Sequence, residues 1–333
     1  MSRRLQRSLS LPRSSISTYP RSLTSLSSRI GSVQLPPAPI VAHPIRTPPR
    51  RTRHSALQRN HQIGSIPYYA AYSTMPRSFP NRPRDIQLFL QGYPGLPDNP
   101  SLNANLNFYR GTQPMRPDVR TYEEFMRDAE GDYEELEANH GFIQWLFPIR
   151  EHGVNPLAQP LQPHEAEAMA KDPVLLDRIL RSYSMMLDFY GISFNQGHLR
   201  LSPQYQDRFY NLSRRSHNLL RLTRILKFLS EIPPFQPHAA PLVLFFAAAH
   251  SDGLIDFTSG AGSWTPGDSM DRWWSGCFRD DAERKHIEGI LRKRGEFGSK
   301  SWGLEEFDKW YSGGREAGQV GWAGSDSGAK ESK

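Results

Sequence analysis

Two groups of polar residues stand where apolar ones are expected, and the chemistry open to them is recognition. His140 falls in a stripe between Leu136 and Ile143, one turn before Gln144. An imidazole and a carboxamide on one helix could hydrogen-bond a ligand, although a histidine so placed reads first as a core group satisfied by a backbone carbonyl or a neighbour. The second group comprises Arg214, Arg215, Arg221, Arg224 and Lys227. Its last three members, three residues apart, form a drifting basic stripe opposite a heptad seam of Leu219, Leu222, Leu226 and Leu229. That stripe reads first as a solvated face, and otherwise as a docking face for an acidic peptide, protein or phosphate backbone. His140, Gln144, Arg221, Arg224 and Lys227 are therefore the candidate partner- or ligand-binding residues.

Bond-making chemistry finds no foothold. There is no cysteine pair and no His-Glu-x-x-His, and the eleven histidines are scattered. Cys277, the single cysteine, sits between Trp274 and Phe278 and reads as a small buried hydrophobe. Gly260-Ala-Gly262 lacks the strand and helix that would make it a phosphate loop. Carboxylates recur along the helices as solvated faces do, and none stands out. The expectation is a non-enzymatic chain with no cofactor and no metal.

The elements that must position these residues are helical. Asp132 and Glu135 have capping-box spacing, and Tyr133, Leu136, His140, Ile143 and Phe147 recur at three- and four-residue steps, predicting one helix up to Pro148 with Gly153 closing the turn beyond. Trp145, about 180° from Leu136, makes the second half apolar on both sides, so it belongs in the core. Thr121 and Glu124 form a second capping box. Asp172-Pro173 starts a long helix that runs to Gly191 with Ile179, Tyr183 and Met186 on one face. Ser202-Pro203 starts another, which weakens at Ser213–Ser216 and resumes to Pro233-Pro234. Pro241–His250 is a short, wholly apolar helix that must be buried, Gly253–Gly267 is a connector, and Asp280 with Glu283 caps a last amphipathic helix. No stretch alternates with period two.

Composition places this domain inside a longer, diluted chain. The 333 residues have a mean hydropathy of -0.62, and the longest purely apolar run is Leu242–Ala249, too short for a bilayer-spanning helix of roughly 20 residues. The net charge of +7 comes from the tail: residues 1–84 hold fourteen arginines and no lysine, aspartate or glutamate, leaving 27 basic residues against 34 acidic ones thereafter. That segment reads as a transit-like presequence, a disordered basic arm, or a stretch preceding a true start at Met75. Residues 85–104 read as a linker or extended arm, and 295–333 as a mostly disordered tail. The expected fold is all-α, a multi-helix globular domain of six to eight helices over 105–294.

Three blocks carry a family resemblance. They are Gly131-Asp-Tyr-Glu-Glu-Leu-Glu with His140-Gly-Phe-Ile-Gln-Trp-Leu-Phe-Pro-Ile-Arg-Glu-His-Gly153, then Ser182-Tyr-Ser-Met-Met-Leu-Asp-Phe-Tyr-Gly-Ile192, then His217-Asn-Leu-Leu-Arg-Leu-Thr-Arg-Ile-Leu-Lys227. In this order they resemble the conserved region of the opioid growth factor receptor family. The resemblance implies a receptor-like signalling protein with an enkephalin-like peptide partner and a nuclear, perinuclear or membrane-associated address. A mitochondrial address follows instead if residues 1–84 act as a presequence. The alternative reading is a nuclear scaffold that binds acidic partners or nucleic acid through Arg221, Arg224 and Lys227.

Overall fold

The computed structural model describes residues 82–195, 197–257 and 269–316. Among them the order is α1 (Arg84–Leu90), α2 (Ala104–Arg110), α3 (Tyr122–Ala129), α4 (Tyr133–Ala138), α5 (Ile143–Leu146), α6 (Pro163–Lys171) and α7 (Pro173–Phe189). A hairpin of β1 (Ile192–Asn195) and β2 (His198–Leu201) follows, then α8 (Tyr205–Arg214), α9 (His217–Glu231), α10 (Ala239–Ser251), α11 (Asp281–Lys293) and α12 (Leu304–Glu316). The class is all-α. The hairpin is antiparallel, pairing Ile192 with Leu201 and Asn195 with His198, and each strand is too short to display a period in sequence. The expectations for residues 1–81, for 258–268 and for the chain beyond 316 lie outside the described residues.

Local chemistry explains where the helices start. Thr121 and Glu124 form the reciprocal cap of α3, Asp132 Oδ1 accepts the Glu135 amide at 2.9 Å, and Asp280 Oδ1 accepts the Glu283 amide at 2.7 Å. Asp172 Oδ1 accepts the Val174 amide at 3.0 Å, ahead of Pro173 at the first position of α7. That helix stops where Gly191 takes φ +86°, with a Cβ there falling 3.0 Å from the Cα of Tyr205. Glycine alone turns the chain so closely past α8.

The core is continuous, with α10 at its centre. All of α10 is buried, and it packs against α9, α11, α12 and β2. Phe245 meets Phe307 at 5.4 Å and Phe246 meets Trp274 at 5.9 Å, each buried ring or leucine contributing on the order of 1.5–3 kcal/mol. A second aromatic cluster joins Phe108, Tyr109, Tyr122 and Trp145, with Trp145 Nε1 donating to the Arg116 carbonyl at 2.9 Å.

Three expectations are corrected. The segment read as a linker contains α1, whose Ile86 and Phe89 are buried, and α2 reaches into the aromatic cluster. The segment read as tail contains α12, with Phe307 and Tyr311 in the core and the Leu304 amide capped by Asp252 Oδ2 at 2.8 Å. The predicted central helix is two helices: Asn139 Oδ1 accepts the Gly141 amide at 2.9 Å, and this local turn breaks the chain between α4 and α5. One polar group inside the core is fully served. Glu165 accepts the amides of Asn105, Leu106 and Gln162 at 3.0–3.1 Å and the side chains of Asn105 and Gln159 at 2.8 and 2.9 Å, tying the starts of α2 and α6 together.

Candidate functional site

The break after α4 moves His140 out of the core. It is exposed, not satisfied inside a stripe, and its ring stands edge-on to His217 at 5.0 Å. Gln144 is buried on α5 against Gly153, where a Cβ would come within 1.8 Å of Gln144 Oε1, and that oxygen has no hydrogen-bond partner among the described residues. The structure therefore joins His140 to the start of α9 and Gln144 to the loop after Pro148.

The basic stripe on α9 is not a solvated face. Arg221 is 4% exposed; its guanidinium donates to the carbonyls of Leu136 and Asn139, both at 2.8 Å, and to Asn218 Oδ1 at 3.0 Å. It thus closes the C-terminal end of α4, whose last carbonyls have no helical partner. Lys227, 1% exposed, donates to Glu151 at 2.7 Å and Asp85 at 2.9 Å. Burial would lower the lysine's pKa, but Glu151 and Asp85 more than offset it and the value rises. Arg224 lies between them, half-buried, with its Nε unpartnered; burial brings its pKa down to about 10 against the pull of Glu151 and Tyr93. Leucine periodicity hid this arrangement. The segment from α4 to Glu151 and α1 cover the polar face of α9, while Leu220 on the same helix is 68% exposed.

The open concavity near His140 is acidic. A groove of about 1060 Å³ between α4 and α8 is lined by Glu130, Asp132, Glu134, Glu137 and Asp207, with Arg208 as its one cation. Two tyrosines frame it. Tyr133 donates its hydroxyl to Asp188 at 2.6 Å, and burial together with that carboxylate pushes its pKa up to about 12. Tyr210 is 66% exposed. Arg208 lies over the Tyr133 ring at 4.2 Å, its Nε buried and without a hydrogen bond among the described residues.

Glu137 links the groove to the histidines. One carboxylate oxygen faces His217 Nε2 at 2.8 Å, and the other accepts from Asn211 at 2.7 Å and Asn218 at 3.1 Å. Burial raises the Glu137 pKa, but the two asparagines, His217 and Arg221 outweigh it, so the carboxyl stays below its usual range and ionised. Such a site can hold a cation, stack an aromatic group on tyrosine, and offer one guanidinium donor to a carbonyl or carboxylate. Sequence reading missed it because each carboxylate looked like part of a solvated face. The available signal was the acidic density of Glu130–Glu137 beside Tyr133.

Comparison with known proteins adds the family. The family model described as the opioid growth factor receptor (OGFr) conserved region matches residues 98–303, which include the groove. An opioid growth factor receptor-like protein 1 of Mus musculus is 37% identical over 203 residues, 59% of this chain and 44% of that protein. The protein of the same name from Xenopus tropicalis is 41% identical over 168 residues, 49% of this chain and 33% of its own. The opioid growth factor receptor of Homo sapiens is 40% identical over 168 residues, 49% of this chain and 25% of the human protein. The chain thus spans less than half the length of these relatives. No solved structure matches. No described helix is long and apolar enough to cross a membrane, and no three His, Cys, Asp or Glu among the described residues are arranged to hold a metal ion.

Proposed function

The chain belongs to the opioid growth factor receptor family, and on that premise we propose that its helical domain is a non-catalytic recognition module that binds a peptide in the groove between α4 and α8. The observation that carries this reading is the groove itself, five carboxylates to one guanidinium between two tyrosines. An amino terminus or a lysine or arginine side chain would sit among Glu130, Asp132, Glu134 and Asp207, an aromatic side chain would lie against Tyr210, and a peptide carbonyl would take the unspent Arg208 donor. Relatives are named for an opioid growth factor. An enkephalin-like peptide, with a free amino terminus and aromatic side chains, has the chemistry this groove asks for.

The alternative of a scaffold reading acidic partners through α9 requires Arg221 and Lys227 at the surface, and both are committed inside the domain. Titration of the full chain with a synthetic enkephalin pentapeptide and with its N-acetylated form tests the proposal. The free amine should bind, the acetylated form should bind at least tenfold more weakly, and affinity should fall as salt rises. Equal binding of the two forms, or none of either, would remove the groove as the recognition site.

A further inference from the structure

One carboxylate of the groove between α4 and α8 sits against a titratable ring. Glu137 lines the groove and meets His217, the first residue of α9. Its Oε1 lies 2.8 Å from His217 Nε2, while Oε2 accepts from Asn211 of α8 at 2.7 Å and Asn218 of α9 at 3.1 Å. The two amides hold the carboxylate in place beside the ring. The contact at Nε2 is close but out of line for a hydrogen bond. A neutral imidazole therefore gains little from Glu137, whereas an imidazolium gains a charge attraction that needs no alignment. With 32% of its side chain exposed, the ring exchanges protons with solvent without any part of the fold opening.

The surroundings set where that proton is taken up. The charged and titratable groups around His217 are Glu137 from α4, His140 from the turn after α4, Arg215 from the junction of α8 and α9, and Arg221 from α9. Arg215 Nε is 3.9 Å from the same Glu137 oxygen, but its side chain is 62% exposed and water screens it. Tyr190, at the end of α7 and coupled to Arg221 and Glu137, keeps its proton because burial pushes its pKa far up. Burial holds the His217 pKa below the usual histidine range; Glu137 opposes that shift, and Arg221 and His140 add to it. At neutral pH the ring is uncharged and the ionised Glu137 presents its full charge to the groove. In acid the pair approaches electroneutrality, which offsets one of the five negative charges there.

We propose that His217 and Glu137 make ligand retention in this groove proton-dependent, so that a cationic peptide held at neutral pH is released on acidification. This regulation rests on the reading of the groove as a peptide site, and the two are tested apart. Nuclear magnetic resonance of the ligand-free full chain follows the His217 ring proton against pH in the parent and in Glu137→Gln, the signal being assigned by its absence in His217→Gln. The titration should move to lower pH in Glu137→Gln by at least about half a unit, because the carboxylate that favours the imidazolium is gone. An unmoved titration would overturn the proposal whatever the groove binds. An enkephalin pentapeptide is then titrated at pH 7 and pH 5.5 into the parent and into His217→Gln, whose side chain takes no proton, with tryptophan fluorescence checking that both stay folded. Between the two pH values the parent should lose affinity about three- to fivefold more than the variant, the scale of one charge at roughly 7 Å in a partly solvated site. Protonation of the peptide amine and of the other groove carboxylates is common to both chains and cancels. Equal loss in both would overturn the proposal and leave the groove a peptide site. Absence of binding at either pH would overturn the groove reading and the regulation with it.

Discussion

Two charged stripes meet opposite fates in this molecule. The basic stripe of α9 looks like a solvated face in sequence and is consumed in folding: Arg221 closes α4, and Lys227 bridges Asp85 and Glu151. The acidic positions of α4 and α8 look equally bland, yet they line an open groove with spare capacity for a cation. What separates them is the neighbour. The face of α9 is covered by segments that bring orphan carbonyls and carboxylates, whereas α4 and α8 touch only through pairs such as Glu137–Asn211 and Arg208–Tyr133 and leave a groove open beside them. Charge in a helical repeat does not reveal its own role; the segment packed over it does.

The largest effects should come from the buried side of this comparison. Lys227→Gln removes the buried ammonium that Asp85 and Glu151 share, and chemical denaturation should show a loss of about 3 kcal/mol, the low end for a buried pair because Asp85 keeps contact with water. Trp145→Ala, at a position 1% exposed, should cost about 3–5 kcal/mol and calibrates the scale. Arg221→Gln removes charged hydrogen bonds to two carbonyls and should cost about 2–3 kcal/mol; a change under about 0.5 kcal/mol would return α9 to the solvated-face reading.

Acid should weaken the fold by a smaller amount. Burial holds His250 and His217 below the usual histidine range, opposed in His250 by the Ile255 carbonyl and in His217 by Glu137, while Arg221 and His140 add to the lowering in His217. A folded pKa below the unfolded one gives stability that is complete above about pH 6.5 and is lost as pH falls through the folded values. The urea midpoint should therefore drop between about pH 7 and pH 5, and a flat or rising midpoint would contradict these two environments.

Much of the architecture was written locally. Asp172-Pro173, Thr121 with Glu124, and Asp280 with Glu283 are caps within single segments, and the apolar run of α10 admits no place but the interior. What escaped depends on contacts distant in sequence. The periodicity through His140 continued across a turn set by Asn139 and Gly141, so a residue expected inside stands outside. α1 and α12 are short or polar in composition and fold because Phe89, Phe307 and Tyr311 find the body. Gln144, a candidate ligand contact by its spacing from His140, is instead packed where Gly153 has no side chain, a partner that spacing does not disclose.

The smallest effect on stability should accompany the largest on recognition. Glu134→Gln/Asp207→Asn alters two exposed groove residues and should change unfolding free energy by no more than about 0.5 kcal/mol each. Calorimetric titration of an enkephalin pentapeptide into this variant and the parent chain is the most direct test of the groove. The parent should bind, and the equally stable variant should bind at least tenfold more weakly. Undiminished affinity in the variant would contradict it.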